Sequence, residues 1–376
     1  MRTLDDLDVE GKRVLVRVDF NVPLDGTRIA DDARIVAALP TLRELRERGA
    51  RMLLAAHLGR PKDREPELSM APVAERVGEL LGAPVELAAD LDHVPDGDIV
   101  MLENVRYEPG ETKDDPELAR RYAALADLYV NDAFGAAHRA HASTHAVARL
   151  LPHAAGRLLE REVRVLTGIL ADPERPLVAI IGGAKVTTKI GVLDAFLERA
   201  DAVLLGGAMC FPFFKVEGHV VGDSLCEEEG IEPARRALDA GEGKLELPSD
   251  LVAGREFSAD TEVRRLDGVD VPDGWMGLDI GAASAARYAE VIAGAGTVFW
   301  NGPMGAYELE PFGEGTRAVA EAVAEAPGTT VAGGGDLLAA LGHFGLKDGV
   351  DHLSTGGGAS LEMVEGKTLP GVEALS

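Results

Sequence analysis

The segment Val14-Leu-Val-Arg-Val18 is a short apolar run that is followed by an amphipathic stretch over residues 33–48 and a second apolar run, Met52-Leu-Leu-Ala-Ala56. A second amphipathic stretch covers residues 72–81. Short apolar runs are typical of buried strands, and apolar residues at helical spacing are typical of helices. Strand, helix, strand, helix is the βαβ signature, so this part of the sequence predicts a parallel sheet covered by helices.

The same alternation continues through the first half of the chain. Strands are expected at Ile99-Val-Met-Leu102 and Leu128-Tyr-Val130. Asp115 and Pro116 are suited to be the N-cap and the first residue of the helix between them. The first sheet is expected to end near Pro152.

A helical stretch from about residue 154 to 170 separates this half from the next, because Leu159, Val163 and Leu166 recur at helical spacing. The alternation then restarts, with strands predicted at Leu177–Ile181, Ala202–Leu205, Val298–Trp300, Thr330–Val331 and His352–Leu353 and helices at Thr188–Arg199, Ala282–Ile292, Thr316–Ala326 and Leu337–Phe344. The predicted fold class is α/β, with two Rossmann-like, doubly wound parallel-sheet domains joined by a connecting helix.

Composition limits the kinds of partner. The 376 residues include 64 acidic and 38 basic ones, and the formal charge of −26 repels nucleic acid and anionic membranes. Two cysteines, Cys210 and Cys226, indicate neither a disulfide framework nor a zinc framework. No signal-peptide pattern or membrane span is expected, so the predicted location is the cytoplasm. Anionic ligands must then be bound by local clusters of basic residues.

Such clusters stand in short motifs of the first half, which contain Arg34, His57, Arg60, Arg106 and Arg139. Guanidinium groups bind carboxylates and phosphates through two parallel hydrogen bonds. Asp19 and Asn21 follow the first strand, where they either terminate it or hold a substrate hydroxyl.

The second half has glycine-rich turns after its strands: Gly182-Gly-Ala-Lys-Val-Thr-Thr-Lys189, Asn301-Gly-Pro-Met-Gly305, Gly333-Gly-Gly-Asp336 and Gly356-Gly-Gly358. Glycine lets the backbone approach phosphate oxygens, and lysines at a helix start attract phosphate charge. Asp336 offers an oxygen ligand for a magnesium-bound nucleotide. Each turn alone can be only a tight turn, but several at successive strand ends favour an anion site.

Other motifs are weaker. Leu361 stands where a P-loop ending in Gly366-Lys-Thr368 needs its first glycine, and the string from Gly313 to Ala318 does not follow a long strand as a dinucleotide-binding turn would. His138, His141 and His145 have the spacing of metal ligands. Arg139 between them would repel a cation, so anion binding or capping is preferred to a zinc site.

No nucleophile paired with histidine and no pair of carboxylates stands out. An acceptor that is itself a carboxylate, with a pKa near ~4, would be ionised already and would need no base to attack phosphorus. Catalysis would then depend on alignment and on neutralising the charge of the phosphoryl group.

These motifs resemble, in order and over the whole chain, the phosphoglycerate kinase family of the bacterial type. The resemblance is carried by Arg17-Val-Asp-Phe-Asn-Val-Pro23, His57-Leu-Gly-Arg-Pro61, Leu102-Glu-Asn-Val-Arg106, Asn131-Asp-Ala-Phe-Gly135, Ala137-His-Arg-Ala-His-Ala-Ser143, Gly182-Gly-Ala-Lys-Val186, Trp300-Asn-Gly-Pro-Met-Gly305, Gly333-Gly-Gly-Asp336, Ser354-Thr-Gly-Gly-Gly-Ala-Ser-Leu361 and Leu369-Pro-Gly-Val-Glu-Ala-Leu375.

The resemblance implies reversible, in-line phosphoryl transfer between ATP and the carboxylate of 3-phosphoglycerate, giving ADP and 1,3-bisphosphoglycerate, in glycolysis. It implies Mg²⁺ with the nucleotide, domain closure and a monomer. It also implies an N-terminal phosphoglycerate-binding domain (1–153), an interdomain helix (154–171) and a C-terminal nucleotide-binding domain (172–365), with residues 366–376 packed back on the first domain.

The resemblance also assigns residues. Substrate binding is implied for Asp19, Phe20, Asn21, Arg34, His57, Leu58, Gly59, Arg60, Arg106 and Arg139, and catalysis for Arg34, Lys185, Gly335 and Gly358. Nucleotide binding is implied for Lys189, Gly277, Glu308, Gly334, Gly335, Asp336 and Leu337, and Asp336 would hold the metal.

Two departures from the family pattern lie near the expected phosphates. Thr188 stands where the family usually has Asp, and Leu337 replaces the usual Thr or Ser. They motivate an alternative hypothesis, a non-catalytic paralogue that binds nucleotide or phosphoglycerate. Arg34 and Lys185 are both present, which favours the active enzyme.

Overall fold

The computed structural model describes residues 1–376. The chain divides into two compact units, the first formed by residues 1–164 and 367–376 and the second by residues 165–366. No helix combines the length and the apolar character needed to cross a membrane.

The first unit contains a six-stranded parallel sheet of order β5-β6-β4-β1-β7-β8 and a small antiparallel pair, β2 and β3. Its elements are β1 Arg13–Arg17, β2 Leu24–Asp25, β3 Arg28–Ile29, α1 Ala33–Glu47, β4 Arg51–Ala55, α2 Ala71–Leu81, β5 Glu86–Ala88, β6 Ile99–Leu102, α3 Pro116–Ala123, β7 Leu128–Asn131 and β8 His153–Ala155. Helix α4, Arg157–Ala171, then leads into the second unit.

The second unit has a six-stranded parallel sheet of order β11-β10-β9-β15-β16-β17 and a three-stranded antiparallel sheet of order β13-β12-β14. Its elements are β9 Leu177–Ile181, α5 Ile190–Arg199, β10 Ala202–Leu205, α6 Phe211–Val216, α7 Ile231–Ala240, β11 Leu245–Glu246, β12 Leu251–Gly254, β13 Val263–Leu266, β14 Met276–Ile280, α8 Ala282–Ala293, β15 Thr297–Asn301, α9 Glu314–Ala324, β16 Thr329–Gly333, α10 Gly335–His343, β17 His352–Ser354 and α11 Gly358–Val364. A last helix, α12 Pro370–Glu373, belongs to the first unit.

The predicted fold class is confirmed. The burial of the central strands explains why the sequence pattern predicted it. In β1 the side chains of Val14, Leu15 and Val16 are all fully buried, as are those of Ile180 and Ile181 in β9. A central strand of a parallel sheet is covered on both faces, so its sequence is a continuous apolar run rather than an alternating one. The chain adds strands on both sides of β1 and of β9, which makes each of these strands a topological switch point.

Several predicted boundaries were wrong, and two of them lie beside the connecting helix and the Lys189 turn. The first sheet does not end near Pro152, because His153–Ala155 pair with β7 as an additional parallel strand, so the helix predicted from residue 154 begins at Arg157. The helix predicted from Thr188 begins at Ile190, since Val186–Thr188 form a separate 3-10 turn.

The C-terminal residues contact the first unit through the backbone. The Gly371 amide donates to the Ala137 carbonyl at 2.8 Å, and the Asn131 side-chain amide donates to the Gly371 carbonyl at 3.3 Å. The Arg2 amide donates to the Leu375 carbonyl at 3.3 Å. These bonds join the two ends of the chain within one unit.

Candidate active site

In the first unit, the residues assigned to the substrate follow the carboxyl ends of four neighbouring strands. Asp19 to Asn21 follow β1, His57 to Arg60 follow β4, Arg106 follows β6, and Arg139 follows β7. Because neighbouring parallel strands end at the same edge, residues far apart in sequence are brought to one side of the sheet. This is the edge at which open α/β sheets bind ligands.

Arg34 reaches this edge from the first turn of α1. Its Nη1 donates to Oδ2 of Asp19 at 2.6 Å, and the two side chains are 35% and 9% exposed. The Asp19 carboxylate therefore holds one nitrogen of a guanidinium that remains open to solvent.

Gly59 joins three of the strand-end loops. Its amide donates to the Asn21 Oδ1 at 2.8 Å, and its carbonyl accepts from Nη1 of Arg106 at 2.5 Å. Gly59 has φ of +63°, and a Cβ there would meet a methyl carbon of Leu68 at 2.7 Å. A side chain at this position is therefore strained, and glycine lets these three loops stay together.

A buried polar network lies beside His57. Arg17, only 1% exposed, donates from Nε to the Ser143 Oγ at 2.8 Å and lies with Nη2 3.2 Å from Nδ1 of His57. The Ser143 hydroxyl donates to the buried Glu111 carboxylate at 2.6 Å. Sequence reasoning quoted Arg17 and Ser143 in motifs but gave them no role, and it missed Glu111.

The basic groups at this edge lie close enough to repel one another. Burial, followed by the charges of Arg17 and Arg139, lowers the pKa of Arg106 to about 10. Burial and the charge of Arg106 lower the pKa of His141 to about 4. Burial, followed by the charge of Arg17, lowers the pKa of His57 well below its usual 6.5. A bound anion would relieve this repulsion.

The remaining residues assigned to the substrate differ in how they can act. Arg60 and Arg139 are exposed, and Nε of Arg139 donates to Nε2 of His138 at 3.1 Å. The side chains of Phe20 and Leu58 are buried in the hydrophobic core. Phe20 and Leu58 can therefore meet a ligand only through their backbone.

The three histidines considered for zinc make separate contacts. Nδ1 of His145 lies 2.5 Å from the Asp114 carboxylate, while His138 contacts Arg139. His141 lies with Nδ1 3.9 Å from Glu111. Each imidazole is thus directed to a different neighbour.

The second unit contains a cavity of about 550 Å³ at the carboxyl edge of its parallel sheet. Gly277, Glu308 and Asp336, all assigned to the nucleotide, line it together. The lining also includes Gly183, Ala184, Gly207, Ala208, Asp223, Leu225, Phe257, Met276, Leu278, Pro303, Gly305, Ala306 and Tyr307. Most of these side chains are small or apolar, which is typical of a small-molecule site with a few polar anchors.

Glycine turns pack closely against each other beside this cavity, next to its lining residues Gly183 and Pro303. A Cβ on Gly182 would lie 2.2 Å from the Pro303 carbonyl oxygen, and a Cβ on Gly302 would lie 2.3 Å from the Gly182 oxygen. The turns after β9 and β15 can approach this closely only because both residues are glycine.

Lys189 is a half-buried cation of this unit. Its Nζ contacts Oδ1 of Asn301. Burial lowers the pKa of Lys189 to about 8, and the Asp336 charge partly opposes this shift. Lys185 is exposed, and the Thr188 hydroxyl donates to its carbonyl at 2.9 Å. Thr188 thus makes a local backbone bond at the position where the family usually has Asp.

The remaining glycine turns start two helices. Gly334 has φ of +101° and precedes α10, which begins at Gly335, while α11 begins at Gly358. Asp336 is exposed in the first turn of α10, whereas the Leu337 side chain is fully buried. Leu337 can therefore contribute to a ligand site only through its backbone.

Sequence reasoning missed the apolar part of the cavity lining. Leu225 and Phe257 lie in loops without a motif, and they are 55% and 58% exposed although they are large and apolar. An isolated apolar residue in a polar loop carries no sequence signal that would assign it to a site.

Known proteins of one family are similar to this chain over its whole length. The family model for phosphoglycerate kinase matches residues 4–367. The chain is 51% identical to a phosphoglycerate kinase of Rubrobacter xylanophilus over 384 residues, covering 100% of this chain and 98% of the relative. It is 50% identical to that of a Parafrankia species over 398 residues, covering 100% of both.

Solved structures are also similar to this chain. Phosphoglycerate kinase from Coxiella burnetii superimposes with a TM-score of 0.90 at 41% identity, covering 99% of this chain and 97% of that one. The enzyme from Pyrococcus horikoshii superimposes with a TM-score of 0.88 at 31% identity, covering 100% and 98%. The chain therefore belongs to the phosphoglycerate kinase family.

Proposed function

We propose that the strand-end cluster of the first unit binds 3-phosphoglycerate and that the cavity of the second unit binds ATP or ADP. The chain is a kinase of glycolysis that catalyses ATP + 3-phosphoglycerate ⇌ ADP + 1,3-bisphosphoglycerate. The division of substrates between the units, and the role of each residue, are the parts that experiment must test.

One observation carries the substrate assignment. In a chain with a formal charge of −26, Arg17, Arg34, Arg106, Arg139 and two histidines collect at one sheet edge, where burial, followed by repulsion between these groups, lowers the pKa values of His57, Arg106 and His141. A protein tolerates such repulsion where an anion normally sits. We assign the phosphate of 3-phosphoglycerate to His57, Arg60, Arg106 and Arg139, and its glycerate part to Asp19 and Asn21, with Phe20, Leu58 and Gly59 contributing backbone groups.

Arg34 lies between these roles. Its guanidinium has five N–H donors, and Asp19 engages one of its nitrogens. The open donors are suited to bridge the substrate carboxylate and the transferring phosphoryl group. The attacking carboxylate needs no general base. The main task of the protein is therefore to stabilise the negative charge of the phosphoryl group during its transfer.

Lys185 and Lys189 serve the phosphoryl donor. Exposed Lys185 is free to follow the phosphoryl group, together with backbone N–H groups at Gly335 and Gly358, while half-buried Lys189 holds the nucleotide phosphates. Gly334 and Leu337 contribute backbone groups, Gly277 borders the adenine, and Glu308 accepts from the ribose. The phosphoryl group passes directly from ATP to the substrate carboxylate, so the proposed mechanism includes closure of the two domains on their ligands.

Mg²⁺ fits the residues present. Asp336 is exposed, lines the cavity and raises the pKa of Lys189 through its charge. Magnesium prefers oxygen ligands, commonly one or two carboxylates together with phosphate oxygens. We assign Asp336 as the carboxylate that would hold Mg²⁺, which would neutralise part of the phosphate charge.

The test is a coupled assay with ATP, 3-phosphoglycerate and Mg²⁺ on the wild type and on Arg34→Ala, both purified from the same host. Turnover that is lost in the variant supports the active enzyme and excludes a contaminating kinase. Absence of wild-type turnover, with both ligands still binding by calorimetry, supports the non-catalytic paralogue. A monomeric, cytoplasmic enzyme completes the proposal and is checked by sedimentation and by cell fractionation.

A further inference from the structure

Glu111 is a carboxylate that lies fully inside the first unit, 1% exposed, behind the cluster of basic residues. Its Oε1 accepts from the Ser143 hydroxyl at 2.6 Å, and its Oε2 accepts from the Ser143 backbone amide at 3.2 Å. The Tyr122 hydroxyl lies 3.5 Å from the same Oε2. Burial raises the pKa of Glu111, while the charge of Arg17, followed by the hydrogen bonds from Ser143, opposes that shift. Both carboxylate oxygens lie within reach of these donors, which is the arrangement that suits the ionised form.

Ser143 passes this interaction to Arg17. The Ser143 hydroxyl has one hydrogen, which it donates to Glu111, so the oxygen is free to accept from Nε of Arg17 at 2.8 Å. Nη1 of Arg17 donates to the Val18 carbonyl, and Nη2 faces Nδ1 of His57 at 3.2 Å. Every edge of this buried guanidinium therefore has a partner.

The contact between Arg17 and His57 determines which ring nitrogen carries the proton. A guanidinium only donates hydrogen bonds, so Nδ1 of His57 must be the acceptor and must lack a hydrogen. A neutral imidazole then carries its hydrogen on Nε2. The bond from Arg17 is the only hydrogen bond that the imidazole makes within the protein, so Nε2–H is left for a ligand.

Charge balance gives Glu111 its part in this arrangement. A buried guanidinium without a counter-charge is costly, and the groups facing Arg17 from the same edge, Arg106 and His57, are basic. Glu111, acting through Ser143, supplies the opposing negative charge. Without it, repulsion would favour a different position of the Arg17 side chain.

We propose that Glu111 and Ser143 are positioning residues that hold Arg17 against His57 and so keep the imidazole as the tautomer protonated on Nε2, ready to donate to an anionic substrate. The proposal rests on the assignment of His57 to the phosphate of 3-phosphoglycerate. Neither Glu111 nor Ser143 needs to touch the substrate.

The tautomer is measured directly on the wild-type protein. Long-range ¹H–¹⁵N correlation spectra of protein with ¹⁵N-labelled histidine distinguish a protonated from an unprotonated ring nitrogen, and His57→Gln identifies the His57 signals. We expect Nδ1 of His57 to be unprotonated and Nε2 to be protonated at neutral pH. A proton on Nδ1, or equal occupation of both nitrogens, would overturn the proposal.

Two variants test the positioning. Glu111→Gln removes the charge, and Ser143→Ala removes the link. Each should raise the KM for 3-phosphoglycerate by about tenfold, roughly the loss of one hydrogen bond to a charged group, while the KM for ATP stays constant. Both variants should also shift the ¹⁵N signals of His57. Ser143→Thr keeps the hydroxyl, so its His57 signals should match those of the wild type. Glu117→Gln, at an exposed carboxylate of the neighbouring helix, is the control and should change neither readout.

The outcomes separate this proposal from the assigned function. If Glu111→Gln does not fold, Ser143→Ala still tests the positioning role and the wild-type spectrum still tests the tautomer of His57. Folded variants with unchanged His57 signals and an unchanged KM for 3-phosphoglycerate would overturn the positioning role. If the wild type lacked kinase activity, the assigned function would fail, yet the spectrum would still report the tautomer.

Discussion

Arg34 Nη1 lies 2.6 Å from Asp19 Oδ2, which joins the first turn of α1 to the loop after the central strand β1. Since the arginine side chain is 35% exposed, the pair contributes little to stability, as is usual for ion pairs that water can reach. The main effect of the ion pair is to orient the Arg34 guanidinium. One nitrogen is held by Asp19, and the remaining N–H donors stay available at the sheet edge where we propose that 3-phosphoglycerate binds.

Arg34→Ala should therefore lower kcat far more than it weakens nucleotide binding. The positive charge is needed mainly while the phosphoryl group is in transit, so we expect kcat to fall about 10²- to 10³-fold, as for other residues that stabilise transition-state charge. Steady-state kinetics and calorimetry with ADP measure the two effects. Arg28→Ala, an exposed arginine of the same unit, is the control, and unchanged turnover in Arg34→Ala would remove Arg34 from the mechanism.

Lys189→Ala should weaken ATP binding by about tenfold or more and leave 3-phosphoglycerate binding unchanged, because a charged hydrogen bond to phosphate is lost. Calorimetry with each ligand separately measures the two affinities. Lys215→Ala, at an exposed lysine of the same unit, should affect neither. Equal losses for both ligands would contradict the division of the substrates between the two units.

Lys189 should also give nucleotide binding a pH dependence. Its pKa is lowered to about 8 by burial, and anionic phosphates bind the protonated form. Affinity for ATP should therefore be constant below pH 8 and should fall above it, by up to about tenfold per pH unit. Calorimetry between pH 7 and pH 9.5 tests this, and the decline should be absent in Lys189→Ala.

Glu308 should act on the ribose hydroxyls. It is an exposed carboxylate at the cavity, and carboxylates accept from paired hydroxyls. In the wild type, 2′,3′-dideoxy-ATP should bind about tenfold more weakly than ATP. In Glu308→Ala the two nucleotides should bind with equal affinity. If the variant still discriminated between them, another group would be the ribose acceptor.

The sequence predicted those parts of the fold and site that depend on local pattern. The central strands β1, β4 and β9 each contain a continuous apolar run, and each is followed directly by a turn whose residues the sequence assigned to a site. Asp115 caps α3 as predicted, with its carboxylate accepting from the Glu117 and Leu118 amides.

Hydrogen bonds between residues far apart in the sequence could not be predicted from local pattern. The start of α4 carries no capping residue of its own, because Asp132, at the end of β7, accepts from the Leu158 and Leu159 amides. This is why the helix start was misplaced and β8 was missed. Ser143 likewise contacts an arginine 126 positions away, and no spacing rule connects the two.

The antiparallel sheet β12–β14 was missed for a different reason. Its edge strand β13 has three exposed residues out of four, so the apolar alternation that marks a half-buried strand is absent. This sheet supplies Gly277 directly and Phe257 from the loop that follows β12. The apolar side of the nucleotide cavity was therefore the part least visible in the sequence.

Asp132 combines two features that make stability depend on pH. It is fully buried, its Oδ1 accepts two amides at the start of α4, and the Thr41 hydroxyl lies beside its carboxylate. Burial raises its pKa from 3.8 to about 7, against the opposing effect of its hydrogen bonds. Between these two values the folded protein keeps a proton that the unfolded chain has released.

The sign of the effect follows from this difference in bound protons. Where the folded state binds more protons than the unfolded state, the free energy of unfolding falls as pH rises, here by up to about 1.4 kcal/mol per pH unit for one group. Asp132→Asn retains an oxygen for the amides of α4 but has no titration. The unfolding free energy of the wild type, minus that of Asp132→Asn, should therefore decrease from pH 4 to pH 7. Both tryptophans, Trp275 and Trp300, lie in the second unit, so tryptophan fluorescence would report the unfolding of that unit. Hydrogen exchange of the β1, β4 and β7 amides measures the unfolding of the first unit, which contains Asp132. A difference that stays constant over this pH range would show that Asp132 is ionised throughout.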